Sequence, residues 1–528
     1  MGRLPLSACW TLPDHVDQAA ERWPDLEALV YGDDRATFAG FAERTLTFAA
    51  ALQARGIVHG DRVGVLMGNL LDTLVAIYGT SRLGAIPVPI NNRFRATELE
   101  HVFGHSGMKL LITAAGTLHA EARKASDDLP AVVHGEPSWD AFLVGAGDVP
   151  NVLARQRRVA VADVAMLMYT SGTTAHPKGC RLTHEGLVRT GRVFGEDRFP
   201  MVAGDRQFNP LPLFHLATIL PFNGCLAVGA AMIGMEHFEP GAALRLLREE
   251  RCTVAFPAFT LIWQAMLDHP DFAAADLSGL RLVNVNGDPE VTRTFAPRTP
   301  DTVQISPYGA TEGGGVIALS HPGDTLQERI GTAGRPFEGV EARIVDPETG
   351  APVPPGVQGE ITYRGWSLFA GYHEDPAATA AAIDADGYFH SGDLGRLDEQ
   401  GRLSYDGRIK DMLKVGGENV AAAEIEGLLS RHPAVFTVQV VAAPDARYHE
   451  VPAAFVELRP GASATEQELI DHCLGAIATF KVPRYVRFVS EWPMSGTKIQ
   501  KFVLREWIAG ELRDAGITQA AKVPSARV

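Results

Sequence analysis

Short apolar runs alternate with amphipathic stretches along most of the chain. Arg62–Met67 (RVGVLM) predicts a strand and Leu70–Leu83 the helix after it. Ala165–Tyr169 (AMLMY) predicts another strand, with Thr183–Phe194 helical further on. This alternation belongs to α/β layers, not to an all-helical or all-β chain. Leu216 to Met235 is uncharged, but Pro221, Asn223 and several glycines interrupt it, which predicts a buried helix–turn–strand and no membrane span. Near residue 405 the texture changes. Gly387, Gly392, Gly395, Gly401 and Gly407 punctuate a turn-rich stretch ending in YDGRIKD (Tyr405–Asp411). Beyond it, Glu424–Arg431 and Glu466–Phe480 carry apolar residues at helical spacing (Ile425, Leu428, Leu429; Leu469, Cys473, Ile477), and Val435–Val441 and Ala453–Leu458 read as strands. The expected division is a domain of residues 1–406, a joint at 407–410 and a smaller domain of 411–528. No internal repeat stands out.

Composition narrows the class of protein. The 528 residues suffice for several folding units, or for two of which one is large. Hydrophobic residues make up 46% and charged residues 21%, so sizeable cores are expected and widespread disorder is not. With 48 basic against 63 acidic residues the net charge is −15, which disfavours sequence-independent nucleic-acid binding but leaves local anion sites open. Cys9, Cys180, Cys225, Cys252 and Cys473 are odd in number and show no C-x-x-C spacing, which points to a reducing cytoplasm. The N-terminus shows no signal-peptide core, and Leu6 spoils a myristoylation match at Gly2.

The segment YTSGTTAHPKG (Tyr169–Gly179) carries the first chemistry. It follows an apolar strand and precedes the short strand Cys180–Leu182, so it joins strands. Thr170, Ser171, Thr173 and Thr174 offer hydroxyls, Gly172 admits an anion close to the backbone, and Lys178 adds a cation. These are the parts of a phosphate cradle. It is not a Walker A loop, because Lys178 sits in Pro-Lys-Gly and no helix opens directly behind it.

Four further motifs follow: YGATE (Tyr308–Glu312), YFHSGDLG (Tyr388–Gly395), GRIKDMLKVGGENVAAAEIE (Gly407–Glu426) and TKIQK (Thr497–Lys501). With the loop, they resemble in order and spacing the adenylate-forming superfamily of acyl- and aryl-CoA synthetases, peptide-synthetase adenylation domains and beetle luciferases. The resemblance implies an α/β fold, with a large N-terminal domain of layered sheets and helices and a small mobile α+β C-terminal domain. It also implies a two-step reaction. A carboxylate attacks the α-phosphate of ATP to give an acyl-adenylate and pyrophosphate, and coenzyme A then displaces AMP. Residue by residue, Glu312, with Thr174, matches the magnesium ligand. Thr311 matches the α-phosphate contact, and Tyr308, with Gly309 beside it, the adenine side. Asp393 and Arg408 match the ribose contacts. Lys498 resembles the adenylation lysine, although Thr497 replaces the usual preceding glycine and Gly496 stands one place earlier. Lys410 falls on the joint. Lys414 with Gly416 and Gly417 matches the turn that admits pantetheine in the second step.

The acyl side is less defined. Pro212–His215 (PLFH) matches a segment lining the carboxylate, with His215 over the substrate, and Thr218 stands where the family often has glycine. No Phe-Asp pair occurs there, which disfavours an α-amino acid. Asn286-Gly287-Asp288-Pro289 replaces the family's Gly-Gly-Ala-Pro, so Asp288 is placed to accept a hydrogen bond from adenine or from a substrate amine; equally, it is a turn residue bonding its own backbone. Phe259, Trp263 and Met235 suggest an apolar lining without fixing its size, and the acid is expected to be medium-sized or cyclic and hydrophobic. The expected partner is therefore a small carboxylic acid, with no nucleic acid and no membrane, and a homodimer stays open. Two alternatives also stand. One is adenylation with another acceptor (a carrier-protein thiol, an amine or a small nucleophile) or of another oxyanion such as nitrite. The other is a non-catalytic binding protein that kept the fold.

Overall fold

Arg62–Leu66 and Leu71–Ser81 form the expected strand and helix, and Val164–Thr170 and His184–Val193 the second pair. The helix of the second pair starts at Thr183, whose hydroxyl accepts from the Gly186 N–H and satisfies a donor of the first turn. The computed structural model describes residues 10–144, 148–170, 177–287, 289–416, 418–495 and 498–521, without the side chains of Glu290, Asn419, Ser495 and Lys498. The chain folds as two units. One holds Met1–Asn286, Phe295–Ala342 and Tyr363–His390, and the other Gly287–Thr294, Arg343–Thr362 and Ser391–Val528. Residues 407–410 lie within the second.

The first unit is built on two mainly parallel sheets. In the seven-stranded sheet the strands run Val303–Ile305, Leu282–Asn286, Val254–Phe259, Arg206–Phe208, Ala231–Gly234, Glu27–Tyr31 and Asp34–Thr37, and only the last pair is antiparallel. The four-stranded sheet, Ile86–Pro89, Arg62–Leu66, Leu110–Ala114 and Ala131–His134, is parallel throughout. Parallel strands need crossovers, and the helices between them supply these while covering the apolar strand faces.

Leu216–Val228 is one helix followed by the strand Ala231–Gly234, as the sequence predicts, but Pro221 lies inside the helix instead of ending it. Proline cannot donate to the carbonyl four residues back. That carbonyl, of Ala217, accepts instead from the side-chain amide of Asn209 at 3.0 Å. Asn223, at the centre of the same helix, is buried. It accepts from the Tyr78 hydroxyl at 2.8 Å and donates to the Leu187 carbonyl at 3.3 Å. Around it Phe41, Tyr78 and Phe222 pack edge to face, with centroids 5.3–5.7 Å apart.

Two histidines are sealed in this core. His184 accepts at Nδ1 from the Leu12 N–H at 3.1 Å, and His15 donates from Nε2 to the Asn223 carbonyl at 2.8 Å. Burial lowers His15 to about 4, against the opposing Asn223 bond, and lowers His184 to about 3, against the pull of Asp163; the ordinary value is 6.5. Between these values the unfolded chain binds protons that the folded chain refuses. Stability is therefore complete above the ordinary value and falls as pH drops towards 4 and 3. Going from pH 7 to pH 5 is expected to cost about 2 kcal/mol per histidine, read from urea midpoints. His184→Gln should flatten this pH dependence, and an unchanged slope would refute the assignment.

In the second unit the strands Glu418–Ala421, Met412–Val415, His449–Leu458 and Val435–Asp445 form a sheet in that order, with Tyr485–Phe488 parallel to His449–Leu458. The helices Ala422–Leu429 and Glu466–Cys473 pack Ile425, Leu429, Leu469 and Cys473 into one core. Lys501–Asp514 covers another with Leu504, Ile508 and Leu512. The helix expected over Glu466–Phe480 stops at Cys473. Gly475 takes a φ of 78°, outside the helical range, and Ile477 reaches the core from irregular chain. Among the described residues no helix is long and apolar enough to cross a membrane.

Candidate active site

In the first unit, Val164–Thr170 pairs antiparallel with Lys178–Thr183, with Thr170 opposite Lys178. The hairpin holds both ends of the loop in register. Ser171, Gly172, Thr173 and Thr174 lie outside the described residues. The Lys178 ammonium sits 4.8 Å from the centre of the Tyr372 ring, and the Tyr372 hydroxyl donates to Glu312 Oε1 at 2.9 Å. Lys178 and Glu312, from separate motifs, are thus joined by a tyrosine that the motif reading did not single out. Burial, then the Glu312 charge, raises the Tyr372 hydroxyl above its ordinary value, so it stays a donor at neutral pH. The same two causes raise the Cys180 thiol, which is fully buried and is no nucleophile.

Tyr308 is buried in the strand Pro307–Tyr308, and Thr311 and Glu312 form the following tight turn with Gly313. Gly309 is required here, because a Cβ would stand 2.3 Å from the Gly315 carbonyl oxygen and 2.6 Å from Val316 Cα. Any side chain would push the YGATE segment off its return strand, Ala318–Leu319.

His215 precedes the helix Leu216–Val228, its ring 4.4 Å from that of Phe214. The loop before it is pinned by groups that are distant in sequence. Asn69 donates to the Leu211 carbonyl and accepts from the Leu213 N–H, and Thr218 donates to the Pro212 carbonyl at 2.9 Å. The Thr218 departure therefore adds a tie that glycine lacks. Trp263 is fully buried, while Phe259 and Met235 are part-exposed.

The second unit carries the remaining predicted residues. Antiparallel pairing sets Asp393 opposite Arg408, and Arg408 Nε donates to Asp393 Oδ1 at 2.8 Å. Burial works against the Arg408 charge, and Asp393 with Tyr405 outweighs it, so its pKa lies above the ordinary value. A cavity of about 110 Å³ opens beside Arg408, lined also by Asp411, Ala422, Glu426 and Lys501. The Lys410 carbonyl accepts from Arg505 at 2.9 Å, and Asp411 pairs with the same guanidinium. Lys414 lies exposed on Met412–Val415, its N–H donating to Glu450, and the Gly416 N–H donates to the Tyr448 carbonyl. Lys498 opens the short strand Lys498–Ile499, paired with Met494–Ser495. Lys501, three residues on, is in an ion pair with Glu426 at 2.6 Å. Gly287 follows the strand Leu282–Asn286, and Pro289 starts the helix Pro289–Arg293. Asp288, Gly417, Gly496 and Thr497 are outside the described residues. A cleft of about 410 Å³ lined by Arg22, Trp23, Glu196, Met201 and Val228 contains none of these residues.

Among the described residues no cluster of three metal-binding side chains occurs. Among them Glu312 has one oxygen engaged by the neutral Tyr372 hydroxyl, whose ring also meets the Lys178 ammonium. That donor set fits magnesium carried on a nucleotide, which takes one or two protein carboxylates and completes its shell with phosphate and water.

Two family models match the chain: AMP-binding enzyme over residues 16–373, and AMP-binding enzyme C-terminal domain over 424–498. A propanoyl:CoA ligase of Mycobacterium tuberculosis, whose acyl group carries a methyl-dioxo-octahydro-indenyl ring system, is 35% identical over 94% of this chain and 98% of its own length. The mitochondrial medium-chain acyl-CoA ligase ACSF2 of Mus musculus is 31% identical over 95% of this chain and 88% of its own. The structure of the anthranilate CoA ligase AuaEII in complex with anthranoyl-AMP superposes with a TM-score of 0.87 at 27% identity, covering 97% of this chain and 99% of that one.

Proposed function

The chain belongs to the AMP-binding enzyme family, and from that premise we propose how this acid–CoA ligase divides its reaction among its residues. The enzyme activates a carboxylic acid with ATP, releases pyrophosphate, and passes the acyl group from AMP to the thiol of coenzyme A. The observation that supports the assignment best is the chain Lys178–Tyr372–Glu312, a cation and a hard oxygen donor held on adjoining segments. Such a pair meets the main difficulty of the first step, bringing a carboxylate up to a triphosphate.

Lys178 and the hydroxyls and backbone of Thr170–Thr174 hold the triphosphate. Glu312, with Thr174, would hold magnesium, which when bound neutralises phosphate charge. Thr311 contacts the α-phosphate, Tyr308 and Gly309 flank adenine, and Gly287, Asp288 and Pro289 belong to the nucleotide-binding residues. Asp393 accepts from the ribose hydroxyls, and Arg408, held by Asp393, contacts the ribose. Lys498 places its charge between the carboxylate and the α-phosphate in the first step. The C-terminal segment then turns about 407–410 and brings Lys414, Gly416 and Gly417 to the thiol.

The acid is medium-sized or cyclic and hydrophobic. The ring-bearing and medium-chain acids in the relatives' names support this. The compartment we assign is the cytoplasm, in keeping with the buried free thiols Cys180, Cys225, Cys252 and Cys473.

The test is pyrophosphate release from ATP and magnesium across a panel of carboxylic acids, each with and without coenzyme A. The expected outcome is acid-dependent release, strongest with cyclic or medium-chain acids, and an acyl thioester only when coenzyme A is present. Preference for long-chain acids would overturn the substrate class. Acid-dependent release without thioester would overturn the acceptor.

A further inference from the structure

We propose that Tyr372 is a positioning residue that holds Lys178 and Glu312 apart, so that each can engage a metal-bound triphosphate. The proposal rests on the roles given above to those two residues. A lysine and a glutamate that reach the same buried tyrosine are candidates for an ion pair, in which each would be occupied by the other. Among the described residues no such pair forms. The Tyr372 ring takes the ammonium at 4.8 Å on its face, and its hydroxyl takes one carboxylate oxygen at 2.9 Å. Among the described residues the other carboxylate oxygen is left to a metal, and the ammonium is held by a weak, non-directional contact that a phosphate can outcompete.

The ring is itself over-determined. It is 7% exposed and packs edge to face on Phe369 at 4.8 Å. Its N–H donates to the Thr379 hydroxyl at 2.9 Å, and its backbone bridges to Cys180 on the strand that bears Lys178. On either side of it, the Phe369 N–H donates to the Glu312 carbonyl at 2.8 Å and the His373 N–H to the Gly179 carbonyl at 2.7 Å. One short segment, Phe369–His373, therefore clamps the Glu312 turn at one end and the Lys178 strand at the other. Tyr372 stands between, with its hydroxyl and ring directed at the two functional groups. A tyrosine that served only to fill the core would not need both.

The hydroxyl and the ring separate by substitution. Tyr372→Phe removes the bond to Glu312 and keeps the face for Lys178, whereas Tyr372→Leu removes both. Binding of Mn2+ in the presence of α,β-methylene-ATP is read by electron paramagnetic resonance, binding of the nucleotide analogue without metal by calorimetry, and folding by thermal melting. Tyr372→Phe is expected to weaken Mn2+ binding about tenfold, the scale of one hydrogen bond to a charged group. Metal-free nucleotide binding should be unchanged and the melting temperature lowered by no more than about 3 °C, the share of that one bond. Tyr372→Leu should weaken nucleotide binding as well. Glu312→Gln is the control for the underlying assignment. If it weakens Mn2+ binding and Tyr372→Phe does not, Tyr372 is structural and the proposal fails while the role of Glu312 stands. If Glu312→Gln leaves Mn2+ binding intact, the role of Glu312 fails and the proposal with it. A loss in Tyr372→Phe accompanied by a fall in melting temperature of more than about 5 °C, beyond the share of one hydrogen bond, also overturns it.

Discussion

Lys498→Ala is expected to lower acid-dependent pyrophosphate release by about 10³-fold, the scale for removing one preorganised charge from a transition state. The same variant should still form thioester from supplied acyl-adenylate and coenzyme A. The asymmetry follows from the chemistry of the two steps. In the first, a carboxylate approaches an α-phosphate and negative charge gathers between them, which a single ammonium can offset. In the second, a thiol attacks a mixed anhydride and AMP leaves, so that charge is no longer concentrated at one place. Lys498 is suited to a role in one step only, because it lies in the segment we assign to the turn about 407–410. Its neighbour Lys501 is already paired with Glu426 and does not offer a second free charge. Single-turnover assays of each half-reaction decide the matter. Equal losses in both would remove the adenylation role from Lys498.

Asp17→Ala is expected to destabilise the protein by about 3–5 kcal/mol, the cost of leaving a buried charge without its counter-ion. Arg82 is fully buried. It donates to Asp17 at 2.7 Å, to Gln156 at 2.8 Å and to the Thr45 hydroxyl at 2.9 Å. Gln156 also donates to Asp17 at 2.7 Å, so the carboxylate is the centre of the network. Without Asp17 the guanidinium keeps two neutral partners and no opposite charge. The double variant Asp17→Ala/Arg82→Met should recover part of the loss, since an apolar side chain of similar length needs no counter-ion. Urea unfolding of the single and double variants provides the measurement. A double variant less stable than Asp17→Ala would show that packing, not charge, dominates at Arg82.

Neither Asp17 nor Arg82 can be recognised as a pair from the chain. They belong to different helical segments, and a lone arginine in an amphipathic stretch reads as a solvated charge. Tyr372 illustrates the same limit at the active site. Its neighbours Gly371 and His373 carry no spacing that points to phosphate chemistry, and its partner Glu312 lies 60 positions away. Asn69, which holds the loop before His215, is 144 positions from the N–H it accepts. In the second unit, the apolar spacing through Ile477 marked burial correctly but not helix. Gly475 ends the helix two residues earlier, while Ile477 reaches the same core from irregular chain. Pro221 sits inside its helix without breaking it, because Asn209 satisfies the carbonyl that the proline abandons.

The α/β alternation, the two-part organisation and the adenylating chemistry were all present in the order of residues. Strands, helices and phosphate-binding motifs are written in contiguous runs, where periodicity and spacing are local quantities. The tie between Lys178 and Glu312, the pinning of the His215 loop and the buried charge network had to await the folded chain. Each joins groups far apart in sequence, and such contacts arise only when packing brings distant segments within hydrogen-bonding distance.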